Sequence, residues 1–279
     1  MPEAPRLDAL MLAGDLPGLL LDAQRLAAFA PGAHGRRRAG QGEAFWQYRD
    51  HRSEDGARLV DWRRSARGDR FYVREREREA AQTAWFWIDP EPGFNWSSGP
   101  NYPSKKRRAL TLALALGVLL TRGGERIGAL GRASRAGARS VERMALDLVA
   151  PAVDAAPAAK SCVVFASDFY APLEQWRAKL NRAASAGAYG ALLMVADPAE
   201  EDFPYVGRTL FRAPGGREEA LLGRADAARE GYAARLNAHR RSLRTMSAAL
   251  GFPAVLHRTD HAAGPALGLL MALVAERRR

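Results

Sequence analysis

Cysteine occurs once in this 279-residue chain, at Cys162. One thiol excludes an intramolecular disulfide, and its place in the apolar run Ser-Cys-Val-Val-Phe reads as a buried structural thiol, not a nucleophile. Lysine is nearly as scarce: the four are Lys105, Lys106, Lys160 and Lys179, so arginine carries almost all of the basic charge behind the net +11. The five histidines (His34, His51, His239, His257 and His261) give a hydrolase triad little support, and no G-x-S-x-G turn is present. His257 and His261 are four apart, a zinc-ligand spacing on a helix, but here they leave a strand and enter a loop. Neither G-x-x-x-x-G-K-[ST] nor G-x-G-x-x-G occurs, which excludes the common phosphate-cradling loops. The apolar runs at 109–120 and 266–275 are far shorter than the roughly 20 residues of a membrane span. No basic segment near the N-terminus leads into a continuous apolar stretch, so a signal peptide is not expected. The expectation is a cytoplasmic protein without a membrane span.

What is present is an ordinary globular composition, 47% apolar and 26% charged. The arginine and alanine richness fits a GC-rich coding bias, and equally a surface made for an acidic partner. Over 34–82 the arginines cluster (Arg36-Arg37-Arg38, Arg63-Arg64, Arg67, Arg70) among Phe45, Trp46, Tyr48, Trp62, Phe71 and Tyr72. That mixture can track phosphates and stack bases, so a nucleic acid is a candidate partner. The plainer reading makes the aromatics core, with arginine stems laid around them. Short strands and loops are expected here, with one strand near 70–76. Two helical pieces are expected over 3–30, Pro17 opening the second.

From 83 onward strand and helix patterns alternate. Strands are expected at 85–88, 126–130, 162–166, 191–196 and 254–256, with short ones near 207–212 and 219–224. Helices are expected at 104–122, 139–150, 172–186, 226–249 and 263–276; Ser104 caps the first, and Gly123-Gly124 stops it. Such alternation builds a mostly parallel sheet covered on both faces, with ligands at the C-terminal strand ends. Asp89, Asp168 and Asp197 each stand just after a candidate strand. They form a candidate site, or serve as helix caps and turn formers.

A more specific pattern begins at Phe45-x-x-x-Arg49-x-His51. It continues through Asp55, Arg58-x-Val60-Asp61-Trp62, Ser65-Ala66-Arg67 and Val73-Arg74-Glu75. This resembles, without a gap, the signature of the domain-of-unknown-function 58 family. There the pattern runs F-x-x-x-R-x-Y, G-D, R-x-I-D-W, S-A-R and V-R-E. The segments Gly124-Glu125-Arg126-Ile127-Gly128, Ser167-Asp168-Phe169 and Asp197-Pro198 with Glu200, Glu201 and Pro204 fit as well.

The resemblance implies a von Willebrand factor A-like (vWA-like) α/β domain over 83–279, behind a helical segment at 1–33 and the signature region at 34–82. It further implies a protein that works beside a MoxR-type AAA+ ATPase, as an adaptor for that ATPase and its protein clients. Many members carry transmembrane helices at the N-terminus, and the lack of an apolar run of that length here favours the soluble form. A vWA domain holds Mg²⁺ at its strand ends through a metal-ion-dependent adhesion site, a D-x-S-x-S loop with a later Asp. Here that loop is Asp89-Pro90-Glu91-Pro92-Gly93, so Glu91 and Gly93 replace both serines. The expected site, Asp89, Glu91 and Asp168, is therefore degenerate, with Glu91 as the one replacement oxygen ligand for Mg²⁺. The same trio would serve a metal-dependent hydrolase, the least favoured alternative. For Phe45, Arg49, Asp55, Arg58, Asp61, Trp62, Ser65, Arg67, Arg74 and Glu75 two roles stay open. Asp61 could pair with Arg49 or Arg67 while Trp62 pins the region in place, or the aromatic and arginine side chains dock a partner.

Overall fold

The structure, a computed structural model, describes residues 15–29, 45–50, 60–66, 68, 70–76, 82–137, 139–213 and 219–276. The chain divides into two compact units. One spans Arg36–Ala81; the other combines Met1–Gly35 with Gln82–Arg279.

The larger unit is a mixed α/β fold on a five-stranded parallel sheet. Its elements begin with helix α1 (Leu16–Phe29) and resume after the smaller unit. Strand β3 (Thr83–Ile88), helix α3 (Lys105–Arg122), strand β4 (Arg126–Ala129), helix α4 (Ser140–Val149) and strand β5 (Cys162–Ser167) follow in turn. Then come α5 (Leu173–Ser185), β6 (Tyr189–Ala196), the short α6 (Pro198–Asp202) and the hairpin β7 (Thr209–Arg212) with β8 (Glu219–Leu222). Helix α7 (Ala225–Ala249), strand β9 (Ala254–Arg258) and helix α8 (Ala263–Glu276) complete it. The sheet order is β4-β3-β5-β6-β9, every pair parallel. Helices cover both faces, a layout consistent with a vWA-like fold.

Strand periodicity explains the two-faced burial. Along β5, Cys162, Val164 and Ala166 point into one core with α1, α3, α4 and α8, while Val163 and Phe165 point into the other with α5 and α7. Cys162 is buried, as its apolar setting predicts. Helix α3 is capped by the Ser104 hydroxyl, which accepts from the Arg107 N–H, and ends at Gly123 as expected. Its stretch from Ala109 to Leu120 is buried on nearly every side. The outer cover is α1, whose Leu19, Ala23 and Ala27 are fully buried within the same core. Among the described residues no helix is long and apolar enough to cross a membrane.

The smaller unit is an antiparallel ribbon of β1 (Phe45–Asp50) and β2 (Tyr72–Arg76), with the single-turn helix α2 (Trp62–Ser65) in its connection. Asp61 caps α2 by accepting from the Arg64 N–H at 3.1 Å. Its own N–H donates to the Tyr72 carbonyl at 2.8 Å.

His257, on β9, is 4% exposed, and its Nε2 finds no hydrogen-bond partner among the described residues. Burial, helped by the nearby Arg108 and His261, pushes its pKa from 6.5 down to about 4. The folded state therefore binds this proton less well than the unfolded chain. Stability is full above the unfolded pKa and is lost as pH falls from about 6.5 towards 4, by roughly 3 kcal/mol for this shift. Urea titrations at pH 7.5 and pH 4.5 should show this slope, and His257→Leu should flatten it. An equal slope in both proteins would place the acid sensitivity elsewhere.

Candidate functional site

In the sheet order β3 is flanked by β4 on one side and by the equally parallel β5 on the other, so successive connections run outward to opposite sides and the switch point lies between β3 and β5. The crevice beyond the C-terminal ends of two such strands is where open α/β sheets take ligands. Asp89 leaves β3 there, Ser167 and Asp168 leave β5, and Asp197 leaves the neighbouring β6.

Asp89 is 6% exposed and bound from two directions. One oxygen accepts from the Glu91 N–H at 3.0 Å, and the other from the fully buried Ser167 hydroxyl. Burial raises its pKa, and the Asp168 charge adds to the rise; Ser167, the Glu91 N–H and the charge of Lys179 oppose it. The Lys179 ammonium rests 3.1 Å from the Trp87 ring centroid, and burial lowers its pKa to about 8.

Asp168 belongs to a separate pair. Its Oδ2 accepts from the Lys105 ammonium at 2.8 Å and its Oδ1 from the Tyr170 N–H at 3.1 Å. The same ammonium donates to Glu200 Oε1 at 2.5 Å. Glu200 is the third residue of α6 and closes a capping box with Asp197: its Oε2 accepts from the Asp197 N–H at 3.0 Å, while Asp197 Oδ1 accepts from the Ala199 N–H at 2.9 Å. Glu200 Oε2 also accepts from the Tyr170 hydroxyl at 3.2 Å. Burial raises the Glu200 pKa, against the lowering pull of Lys105. The Lys105 side chain is 2% exposed, and its Nζ lies 5.2 Å from the Tyr170 ring centroid and 5.9 Å from that of Trp96. Asp197, fully buried, also accepts from the Ser98 N–H at 2.9 Å, tying the loop after β3 to the end of β6.

The loop after β5 carries backbone strain. Phe169 sits at φ 61°, an unfavourable left-handed conformation for a bulky residue. Three contacts hold it there. Its N–H donates to the Ser167 hydroxyl at 2.9 Å, its carbonyl lies 2.7 Å from His239 Nε2, and its buried ring packs 4.4 Å from that of Trp176.

The trio expected to hold a metal does not converge. Glu91 is exposed, in extended conformation at φ −60° and ψ 137°, because Pro92 opens a 3-10 turn (Pro92–Asn95) immediately after it. It reaches Asp89 through its backbone N–H only. Gly93 lies within that turn and Ser97 turns inward on its own loop, donating to the Gly99 and Tyr102 carbonyls. No group of three His, Cys, Asp or Glu side chains suited to a metal exists among the described residues. Asp89, Glu91 and Asp168 therefore do not bring three carboxylates to one ion. A cation is nonetheless present, and it is Lys105. The sequence did carry a signal for it: one of only four lysines, in the first turn of a helix whose dipole disfavours a cation there unless carboxylates oppose it.

Of the signature residues, Asp61 and Ser65 knit the smaller unit. The Ser65 hydroxyl donates to the Asp61 carbonyl at 2.8 Å and accepts from the Tyr72 N–H at 2.9 Å. Phe45 and Arg49 lie on β1, and Arg74 and Glu75 on β2, with Arg49 opposite Val73. Trp62 is 58% exposed and meets Phe71, 56% exposed, edge to face at 5.9 Å. Asp55, Arg58 and Arg67 lie outside the described residues.

Comparison with curated proteins and with solved structures gave no match. A family model described as "Protein of unknown function DUF58" matches residues 47–242, well over half of the chain. That span takes in most of the signature ribbon and the strand-end carboxylates alike, and the chain accordingly belongs to the DUF58 family.

Proposed function

We propose that this chain is a non-catalytic interaction protein that docks a protein partner through the surface of its signature unit. The exposed Trp62–Phe71 pair, flanked by the exposed Arg63, Arg64 and Arg70, carries this reading. Aromatic and arginine side chains are the ones that most often anchor interfaces. The strand-end carboxylates support it from the other side. Asp168 and Glu200 are committed to Lys105 and Asp89 to Ser167, which leaves the hydrolase alternative without a metal trio. Family membership makes a MoxR-type AAA+ ATPase, or a client of that ATPase, the partner to test.

Capture from native lysate on the immobilised chain is expected to enrich an AAA+ ATPase. Trp62→Ala should weaken that capture about tenfold or more, the loss of an interface anchor. Retention unchanged in Trp62→Ala, or no AAA+ ATPase in the eluate, would remove the reading. The basic aromatic surface also suits single-stranded nucleic acid, and salt separates the two. Phosphate-driven binding falls steeply between about 50 and 200 mM salt, whereas aromatic anchoring to a protein does not.

A further inference from the structure

We propose that Lys105 is the resident cation of the strand-end site, its tethered ammonium occupying the position between Asp168 and Glu200 that a divalent cation would otherwise take. Three features of the contact carry this. The ammonium lies 2.8 Å from an Asp168 oxygen and 2.5 Å from a Glu200 oxygen, so both carboxylates aim one oxygen at a single point. Each remaining oxygen is already engaged, Asp168 Oδ1 by the Tyr170 N–H and Glu200 Oε2 by the Asp197 N–H and the Tyr170 hydroxyl. The carboxylates are therefore oriented by partners other than the lysine, which leaves their two free oxygens aimed at one point. The ammonium itself is buried, and it sits at the first position of α3, where a positive charge gains nothing from the helix.

Two carboxylate oxygens completed by water make an ordinary hard-cation site. From 2.8 and 2.5 Å around the ammonium they must close to the roughly 2.0–2.1 Å of a Mg²⁺ ligand, about 0.7 Å for Asp168 and about 0.4 Å for Glu200. In the native chain the ammonium excludes that ion. The site thereby has fixed charge and fixed geometry at every metal concentration, so whatever engages these loops does so without a metal bridge. This inference stands apart from the identity of the partner.

The test is Mn²⁺ binding to Lys105→Ala, which removes the ammonium and leaves room for an ion. Thermal unfolding of wild type should be the same in EDTA and in millimolar Mn²⁺. Lys105→Ala should be destabilised in EDTA and regain on the order of 5 °C in Tm once Mn²⁺ is about fifty times its Kd. Adding Asp168→Asn or Glu200→Gln to Lys105→Ala should abolish the gain. If Lys105→Ala does not fold in EDTA, refolding in Mn²⁺ replaces Tm as the readout: recovery supports the assignment, and no recovery overturns it. A folded Lys105→Ala indifferent to Mn²⁺ also overturns it. So does a wild-type Tm that rises with Mn²⁺ and ceases to rise in Asp168→Asn.

Discussion

Lys105→Met is expected to lower the unfolding free energy by about 3–5 kcal/mol, the cost of leaving a buried ion pair without one partner. The side chains are 2%, 15% and 16% exposed for Lys105, Asp168 and Glu200, so water cannot replace the lost ammonium without opening the loops. Methionine keeps an unbranched apolar stem one atom shorter than lysine and removes the charge together with both donated hydrogen bonds. Two carboxylates are then left facing one another in a poorly hydrated site, and one must take up a proton or the end of β5 must part from α6. Guanidinium denaturation at neutral pH, followed by tryptophan fluorescence, measures the loss. Adding Glu200→Gln should restore part of it, because the coupling between the two positions is electrostatic. A loss below about 1 kcal/mol would mean that the pair is hydrated and weak, as surface pairs are.

Gly190→Ala is expected to be more damaging still, costing more than about 4 kcal/mol and leaving little cooperative unfolding to measure. Gly190 lies in β6, directly opposite Val163 of β5. A Cβ built there would stand 1.8 Å from the Val163 carbonyl oxygen and 2.8 Å from its nitrogen. The obstruction is backbone, so no side-chain rotamer relieves it, and the two central strands would have to separate. Gly231→Ala is the control. Gly231 lies within α7, and a Cβ there meets nothing within 4 Å. That change should stabilise by roughly 0.5–1 kcal/mol through helix propensity. Two glycine-to-alanine changes of opposite sign in one protein would separate steric obstruction from backbone entropy. Wild-type-like stability in Gly190→Ala would show that β5 and β6 can shift apart freely.

The sheet was readable in advance because a parallel strand buried on both faces is a short apolar run, and 85–88, 162–166 and 191–196 each end at an Asp or a Ser-Asp. Helix α3 announced itself through Ser104 and Gly123-Gly124. Helix α6 went unread although Asp197-Pro198-Ala199-Glu200 carries a capping box with proline at its first turn; at five residues it is too short for periodicity to register. Strand β1 is one of the short strands expected over 34–82, although its place was not marked, and the single-turn helix α2 escaped for the same reason as α6. The carboxylates of the site were legible individually, as residues following strands. Their partner was not, because Lys105 is 63 residues from Asp168 and 95 from Glu200, and pairing across such distances is set by topology. Glu91 was assigned to the site by alignment with a serine, and the turn opened by Pro92 directs it away.

The burial of α3 also bears on the order in which the chain can be made. A helix buried on nearly every side, as α3 is from Ala109 to Leu120, has no face of its own to show to water and waits on its neighbours for cover. Its outer neighbour, α1, precedes it by some 75 residues and lies closer to the N-terminus than any strand of the sheet. Domains emerge from the ribosome N-terminal end first, at about 5–20 residues per second. The cover is thus synthesised seconds before the surface that needs it, and α3 meets a waiting partner on emergence. Circular permutation that moves residues 15–29 to the C-terminus behind a flexible linker would reverse that order, and should lower the soluble yield of nascent chain more than it lowers equilibrium stability.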